Sequence, residues 1–195
     1  MSDSSAEPRS VDVGNRLRVL REERGLSQRG LATASDLSPN ALSQIERGNV
    51  SPSVSTLNRL ASALGVPITA FFEIGRPRSS IVFLKADQRA RVPFAHGLME
   101  GLGGEQFTGQ VEAFYLTLEP GGDSGQHPVA HRGHEFVFCL DGMLEYAVEQ
   151  SMYMLGPGDS LLFAAQLNHR WRNPGAIATK ALIVIMGFTG IGTED

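Results

Sequence analysis

From Val11 to about Phe72 the apolar positions recur at helical spacing. Val13, Leu17 and Leu20 lie three or four residues apart, and Gly25 ends that run. Ser27 stands where it can cap a second, short helix carrying Leu31 and Ala32. Ser35-Asp36-Leu37 makes a tight turn. Ser38 then caps a third helix whose first position is Pro39, where a missing N–H costs nothing, and Gly48 ends it. Ser51-Pro52-Ser53 opens a fourth helix through Leu57, Leu60 and Leu64. Gly65-Val66-Pro67 breaks it, and Ile68 to Phe72 form a last turn.

Beyond residue 75 the period changes from helical to alternating. The spacing predicts strands over Ser80–Lys85, Val111–Leu118, Glu135–Leu140, Met143–Val148, Ser160–Ala164 and Ala181–Phe188. Turn signals such as Glu119-Pro120-Gly121-Gly122, Asp141-Gly142 and Asn173-Pro174-Gly175 separate them. Closely spaced strands with Gly/Pro turns suggest an all-β sandwich or barrel. The stretch 97–109, with five glycines, reads as a loop. Met152 and Met154 alternate around Tyr153 as a strand would. The expected fold class is therefore multi-domain, α plus all-β. Residues 1–10 form a disordered tail, 11–74 a helical domain, 75–80 a linker and 81–195 a β domain.

Composition narrows the class. The chain has 195 residues, 42% of them apolar, which suffices for packed cores. No apolar run approaches the roughly 18–20 residues a membrane helix needs; the longest, Ala181–Phe188, suits a buried strand. The first ten residues are polar and acidic, unlike a secretory signal, which points to the cytoplasm. One cysteine, Cys139, excludes a disulfide framework and a Cys-rich zinc module, and its apolar surroundings mark it as a small buried hydrophobe. The net charge of −4 hides an asymmetry: between Gly14 and Leu64 seven arginines face four acids, an excess of three positive charges. Local basic charge is what phosphate attraction requires.

The third helix carries chemistry. If Leu31, Leu37, Leu42 and Ile45 form the shared core, Asn40, Ser43, Gln44 and Arg47 are left on the outward face. Amides pair bidentately with adenine and arginine with guanine, so this face suits base edges. Gln28, at the start of the preceding helix, is placed to hold a phosphate with help from backbone N–H groups. The phrases Gly25-Leu26-Ser27-Gln28, Ile45-Glu46-Arg47-Gly48 and Ser51-Pro52-Ser53…Leu57…Leu60-Ala61…Leu64-Gly65 resemble the lambda-repressor-like, or XRE-type, helix-turn-helix family over residues 14–72. The resemblance implies a five-helix bundle in which Ser38–Arg47 enters the major groove of double-stranded operator DNA. It also implies a DNA-binding set of Gln28, Arg29, Ser38, Asn40, Ser43, Gln44 and Arg47.

In the β half, Gly125-Gln126-His127-Pro128-Val129-Ala130-His131-Arg132-Gly133-His134-Glu135 is followed by Gly142, then by Pro157-Gly158, His169 and Asn173. Imidazole and carboxylate ligands from neighbouring strands suit a divalent transition metal such as Mn, Fe, Ni or Zn. The two stretches resemble the two motifs of the cupin superfamily, a double-stranded β-barrel (jelly roll). His131, Glu135 and His169 match its ligand positions, but the first histidine of the motif is replaced by Val129. His127 and His134 are the candidate substitutes, although His134 adjoins Glu135 on a strand and should face the other way. Trp171, between Arg170 and Arg172, is expected in the core. The other reading of this site is a polar pocket that holds an organic effector without metal.

The order of the two halves resembles one-component bacterial transcription regulators, among them the putrescine-utilisation repressor group. That resemblance implies a cytoplasmic homodimer that binds DNA through the helices. It implies too that a small molecule, related to amino acids or polyamines, is sensed in a pocket lined by His131, Glu135 and His169. The alternative is a metal-dependent cupin enzyme, a dioxygenase or isomerase, with an appended DNA-binding domain.

Overall fold

Side-chain caps open the four α-helices, three of them at the serines that the pattern singles out and the first at Asp12. α1 (Val13–Glu23) starts with the Asn15 N–H donating to Asp12 Oδ1 at 2.9 Å. Ser27 caps α2 (Gln28–Ala34), Ser38 caps α3 (Pro39–Glu46) and Ser53 caps α4 (Val54–Leu64). Each hydroxyl accepts a backbone N–H at 3.0–3.2 Å, a contribution of about 1 kcal/mol per cap. The fifth helix of the expected bundle is only a 3₁₀ turn, Ile68–Phe71. The computed structural model describes residues 11–72, 79–108 and 111–187. The expected tail 1–10 and residues 75–78 of the expected linker lie outside the described residues.

The β half contains β1 (Arg91–Phe94), β2 (Gly97–Gly101), β3 (Val111–Leu118), β4 (His134–Asp141), β5 (Leu144–Val148), β6 (Ser151–Leu155), β7 (Ser160–Ala164), β8 (His169–Arg172) and β9 (Thr179–Met186). Among the described residues these strands form two antiparallel sheets, in the orders β1-β2-β3-β9-β4-β7 and β6-β5-β8. Alternation sets the inward face: Phe114, Leu116 and Leu118 on β3, Val137 and Cys139 on β4, Ala181 and Ile183 on β9, Trp171 on β8. Trp171 and Cys139 are buried, as expected of core residues. Gly142 joins β4 to β5 at φ +76°; a Cβ there would meet the Ala178 carbonyl oxygen at 2.7 Å, so glycine is required.

Two expectations fail. Ser80–Lys85 is not a strand: Ile81 and Phe83 are 80% and 81% exposed, and the nearest pairing is an isolated bridge just before it, Ser79 to Phe107, outside both sheets. Its apolar run favours extended backbone, but among the described residues no strand lies alongside to complete a ladder. Conversely, the stretch 97–109 is not simply a loop. Its first five residues are β2, paired between β1 and β3.

The two halves share one core. Phe72 packs on Phe114 with ring centroids 5.3 Å apart, and the buried Thr69 hydroxyl donates to the buried Glu112 carboxylate at 2.6 Å. Backbone N–H groups of Val11 and Ser55 donate to Arg91 and Ser124 carbonyls at 3.0 and 2.9 Å. At Gly125 a Cβ would lie 2.2 Å from Ser55 Oγ, so the α4 start and this turn touch at glycine distance. Buried apolar side chains run continuously from Leu17 through Phe71 to Ile183.

Candidate functional site

The helical lobe is locked around Glu46, the last residue of α3. Arg21 of α1 donates Nε to Glu46 Oε1 at 2.6 Å and Nη2 to Oε2 at 3.1 Å, while Gln28 of α2 donates Nε2 to Oε2 at 2.6 Å. Burial pushes the Glu46 carboxyl up, but the hydrogen bonds from Arg21 and Gln28 outweigh it and hold it below its ordinary value. One buried carboxylate thus pins three helices. This role is not apparent in the sequence; its one hint is a charge, Arg21, on the stripe of Leu17 and Leu20.

The expected DNA-contacting residues gather along α2 and α3. Arg29 and Asn40 are exposed, Ser43 and Gln44 half-buried, and Arg47 is exposed with its Nε donating to the Ser43 carbonyl at 3.2 Å. The Gln44 Oε1 accepts from Asn49 Nδ2 at 2.8 Å, which orients the amide on the outward face. Ser38 serves as the α3 cap, and the amide of Gln28, an exposed residue, donates to Glu46.

The barrel holds a second cluster. Glu135 projects from β4 and His169 from β8, which lies in the facing sheet, while His131 stands on the loop before β4. Their ligand atoms all lie within 4.8 Å of one another. Glu135 Oε2 is 3.0 Å from His131 Nε2 and 3.5 Å from His169 Nε2. Tyr146 of β5, fully buried, donates its hydroxyl to Glu135 Oε1. Sequence reasoning missed this tyrosine; only its alternation on β5 placed it inside. His127 and His134 are exposed and stay outside the cluster, His134 because it alternates with Glu135. Val129 is buried and lines the cavity at the motif's missing histidine.

Electrostatics at the cluster are strongly coupled. Burial raises Glu135, but hydrogen bonds from His131 and His169 and their charge outweigh it and bring the carboxyl to about 2. Burial lowers His131, and the Glu135 hydrogen bond and charge more than offset this, leaving it raised. Burial and the neighbouring Glu135 charge push Tyr146 well above its ordinary range.

The donor set fits a metal. His169 Nδ1 lies 2.8 Å from the Leu167 carbonyl and His131 Nδ1 lies 3.2 Å from the Arg132 carbonyl. A carbonyl only accepts, so each Nδ1 carries a proton, and Nε2 of each ring faces the carboxylate, as a donor when it is protonated and as a lone pair open to a cation when it is not. Three acceptors facing one point call for a positive charge between them, either a proton on a ring or a cation. A divalent transition metal would be held by His131 Nε2, Glu135 Oε2 and His169 Nε2, and it would supply Lewis acidity there. The cavity they line, closed by Ser124, Trp171 and Ile183 among others, has about 30 Å³ of space. That holds one or two waters or an ion.

Residues 17–71 match the helix-turn-helix family, and residues 114–185 match the cupin domain. The HTH-type transcriptional regulator SutR of Escherichia coli (strain K12) is 31% identical over 164 residues, covering 82% of this chain and 85% of the relative. PuuR, another HTH-type transcriptional regulator of that organism, is 29% identical over 177 residues, covering 90% of this chain and 92% of the relative. The crystal structure of an HTH_3 family transcriptional regulator from Vibrio cholerae superposes with a TM-score of 0.68 at 23% identity, over 92% of this chain and 97% of that one. No helix among the described residues is long and apolar enough to cross a membrane.

Proposed function

The chain belongs to the helix-turn-helix transcriptional regulators that carry a C-terminal cupin domain, and from that premise we propose that it is a ligand-responsive operator-binding protein rather than an enzyme. In this reading α3 enters the major groove, with Asn40, Ser43, Gln44 and Arg47 toward base edges and Arg29 toward phosphate. Ser38 and Gln28 act by fixing α3 and its approach: one caps the helix, the other is bound to Glu46. The protein acts as a cytoplasmic homodimer, whose two-fold symmetry matches half-sites about one helical turn apart. The helical and β halves are its DNA-binding and sensing units.

The observation that carries the sensing role is the geometry of Glu135, a carboxyl group 4% exposed and set between two imidazoles at 3.0 and 3.5 Å. A barrel needs no such group for its own packing, and its desolvation is offset by whatever cation or donor-bearing metabolite it holds. The effector is a small molecule, of the amino-acid or polyamine class, with or without a divalent metal.

Operator binding to the chain's own upstream DNA, measured at several salt concentrations, tests the first half of this reading. A thermal-shift screen of metabolites and metals on the full chain tests the second. A ligand at 100 times its dissociation constant stabilises by about 2.7 kcal/mol. Two imidazoles and one carboxylate are also a donor set used by iron oxygenases. Substrate-dependent oxygen uptake by iron-loaded protein would establish the enzyme reading instead.

A further inference from the structure

The wall of the His131–Glu135–His169 cavity is not all barrel. Val54 and Asn58 of α4 and Ile68 of the 3₁₀ turn close it from the helical lobe. The space among these side chains, about 30 Å³, is too small for any metabolite. Just outside, between the helices and residues 128–130, lies a groove of about 450 Å³, which is ligand-sized. Asn58 and Val129 line both spaces and form the partition between them.

Asn58 differs from its neighbours on α4. Ser55 and Thr56 bond to the Ser53 hydroxyl, and Arg59 donates to the Ser35 and Asp36 carbonyls. The half-buried Asn58 amide has no hydrogen-bond partner among the described residues, though it sits at the mouth of a polar cluster. A donor and an acceptor are thus held ready at the partition.

We propose that α4 of the DNA-binding lobe is the movable wall of the effector site, and that Asn58 is the residue through which that lobe reads the occupant. The inference rests on the sensing role given above. An organic ligand enters from the outer groove, directs a donor-bearing end to the three inward acceptors and meets Asn58 with its next polar group. Because it exceeds the space between barrel and helices, it displaces α4. Leu57 and Leu60 of α4 lie in the same buried core as Leu31 of α2 and Leu42 of α3, so a shift of α4 is passed to both helices. In a dimer that movement changes the spacing of the two recognition helices, which gives the effector its differential affinity for two arrangements.

The test needs no identified ligand. Asn58→Trp in the full chain places a permanent occupant at the partition, and Val129→Trp places one from the barrel side. Each is expected to change operator affinity tenfold or more, in the same direction, with thermal unfolding still one cooperative transition. Ser62→Trp, exposed on α4 and lining only the outer groove, is expected to change it less than threefold. If either tryptophan variant fails to fold, Asn58→Met and Val129→Met replace them with the same readout. Wild-type affinity in both partition variants, or an equal change in the Ser62 variant, overturns the proposal. Failure of the wild-type chain to bind operator at all would instead remove the regulator reading on which it rests.

Discussion

Replacing Glu135 by glutamine keeps the shape of the side chain and removes its charge. In the wild-type protein the carboxyl is brought from 4.5 to about 2, a difference worth about 3 kcal/mol of stability at roughly 1.4 kcal/mol per pKa unit. Because the folded value is depressed, this contribution is present above 4.5 and is lost as pH falls from 4.5 toward 2. His131 is shifted the other way, raised from 6.5, so its share is present below 6.5 and disappears as pH rises through its folded value. Both contributions coexist between about 4.5 and 6.5. Glutamine still accepts from Tyr146 and can donate its N–H₂ group to a neutral imidazole, but it removes the anion that raises His131. Urea unfolding of chelator-treated wild type and Glu135→Gln, at pH values from 2 to 8, gives the difference directly, since other carboxylates titrate alike in both. The difference is expected to peak at about 2–3 kcal/mol near pH 5.5, to vanish by about pH 2, and to shrink as pH rises through the raised folded value of His131. A difference constant across that range would mean that Glu135 is not ionised between two imidazoles, and the argument for a cation-holding site would fall with it.

Glu46→Leu removes the buried carboxylate partner of Arg21 and leaves a guanidinium, on a side chain 10% exposed, with the Leu26 carbonyl and the exposed Glu22. Loss of about 3 kcal/mol is expected in chemical denaturation, and Arg21→Met in the same chain should recover much of it. Gln44→Ala is expected to relax base preference at one operator position by about 1–3 kcal/mol, read by binding to a panel of operator variants. Limited proteolysis is expected to cut first within 75–80, at the Pro/Gly/Ser/Arg composition there. The two fragments should then co-elute on gel filtration, because Phe72 and Phe114 pack across the cut.

The helical lobe is largely legible in the residues because its signals are local. Serine caps act over three residues and glycine stops over one, and the four helices lie where those signals place them. Strands rich in β-branched and aromatic residues, such as Val111–Leu118, are equally legible. Residues 91–94 are not, because Pro93 argues against a strand except at an edge, which is where β1 lies. β2 begins and ends with glycine, which carries no strand preference. Ser80–Lys85 shows the converse error: local extension without a partner makes no sheet. At the cavity, motif spacing brought His131, Glu135 and His169 together on the page before the fold did, but Tyr146 lies on a strand outside both motifs. The Asn58 wall depends on how two lobes dock, and no periodicity within either lobe encodes that.

The chain's one cysteine has a use of its own. Cys139 is fully buried on β4, its thiol is pushed up by burial, and the helices carry no other sulfhydryl. A thiol reagent therefore reaches sulfur only when the β4 register comes apart, and at saturating reagent the labelling rate equals the rate at which the barrel opens. The unmodified protein thus contains a clock for one half of the molecule. A swing of the helices that leaves the sheets paired does not advance it, whereas unravelling of the barrel does.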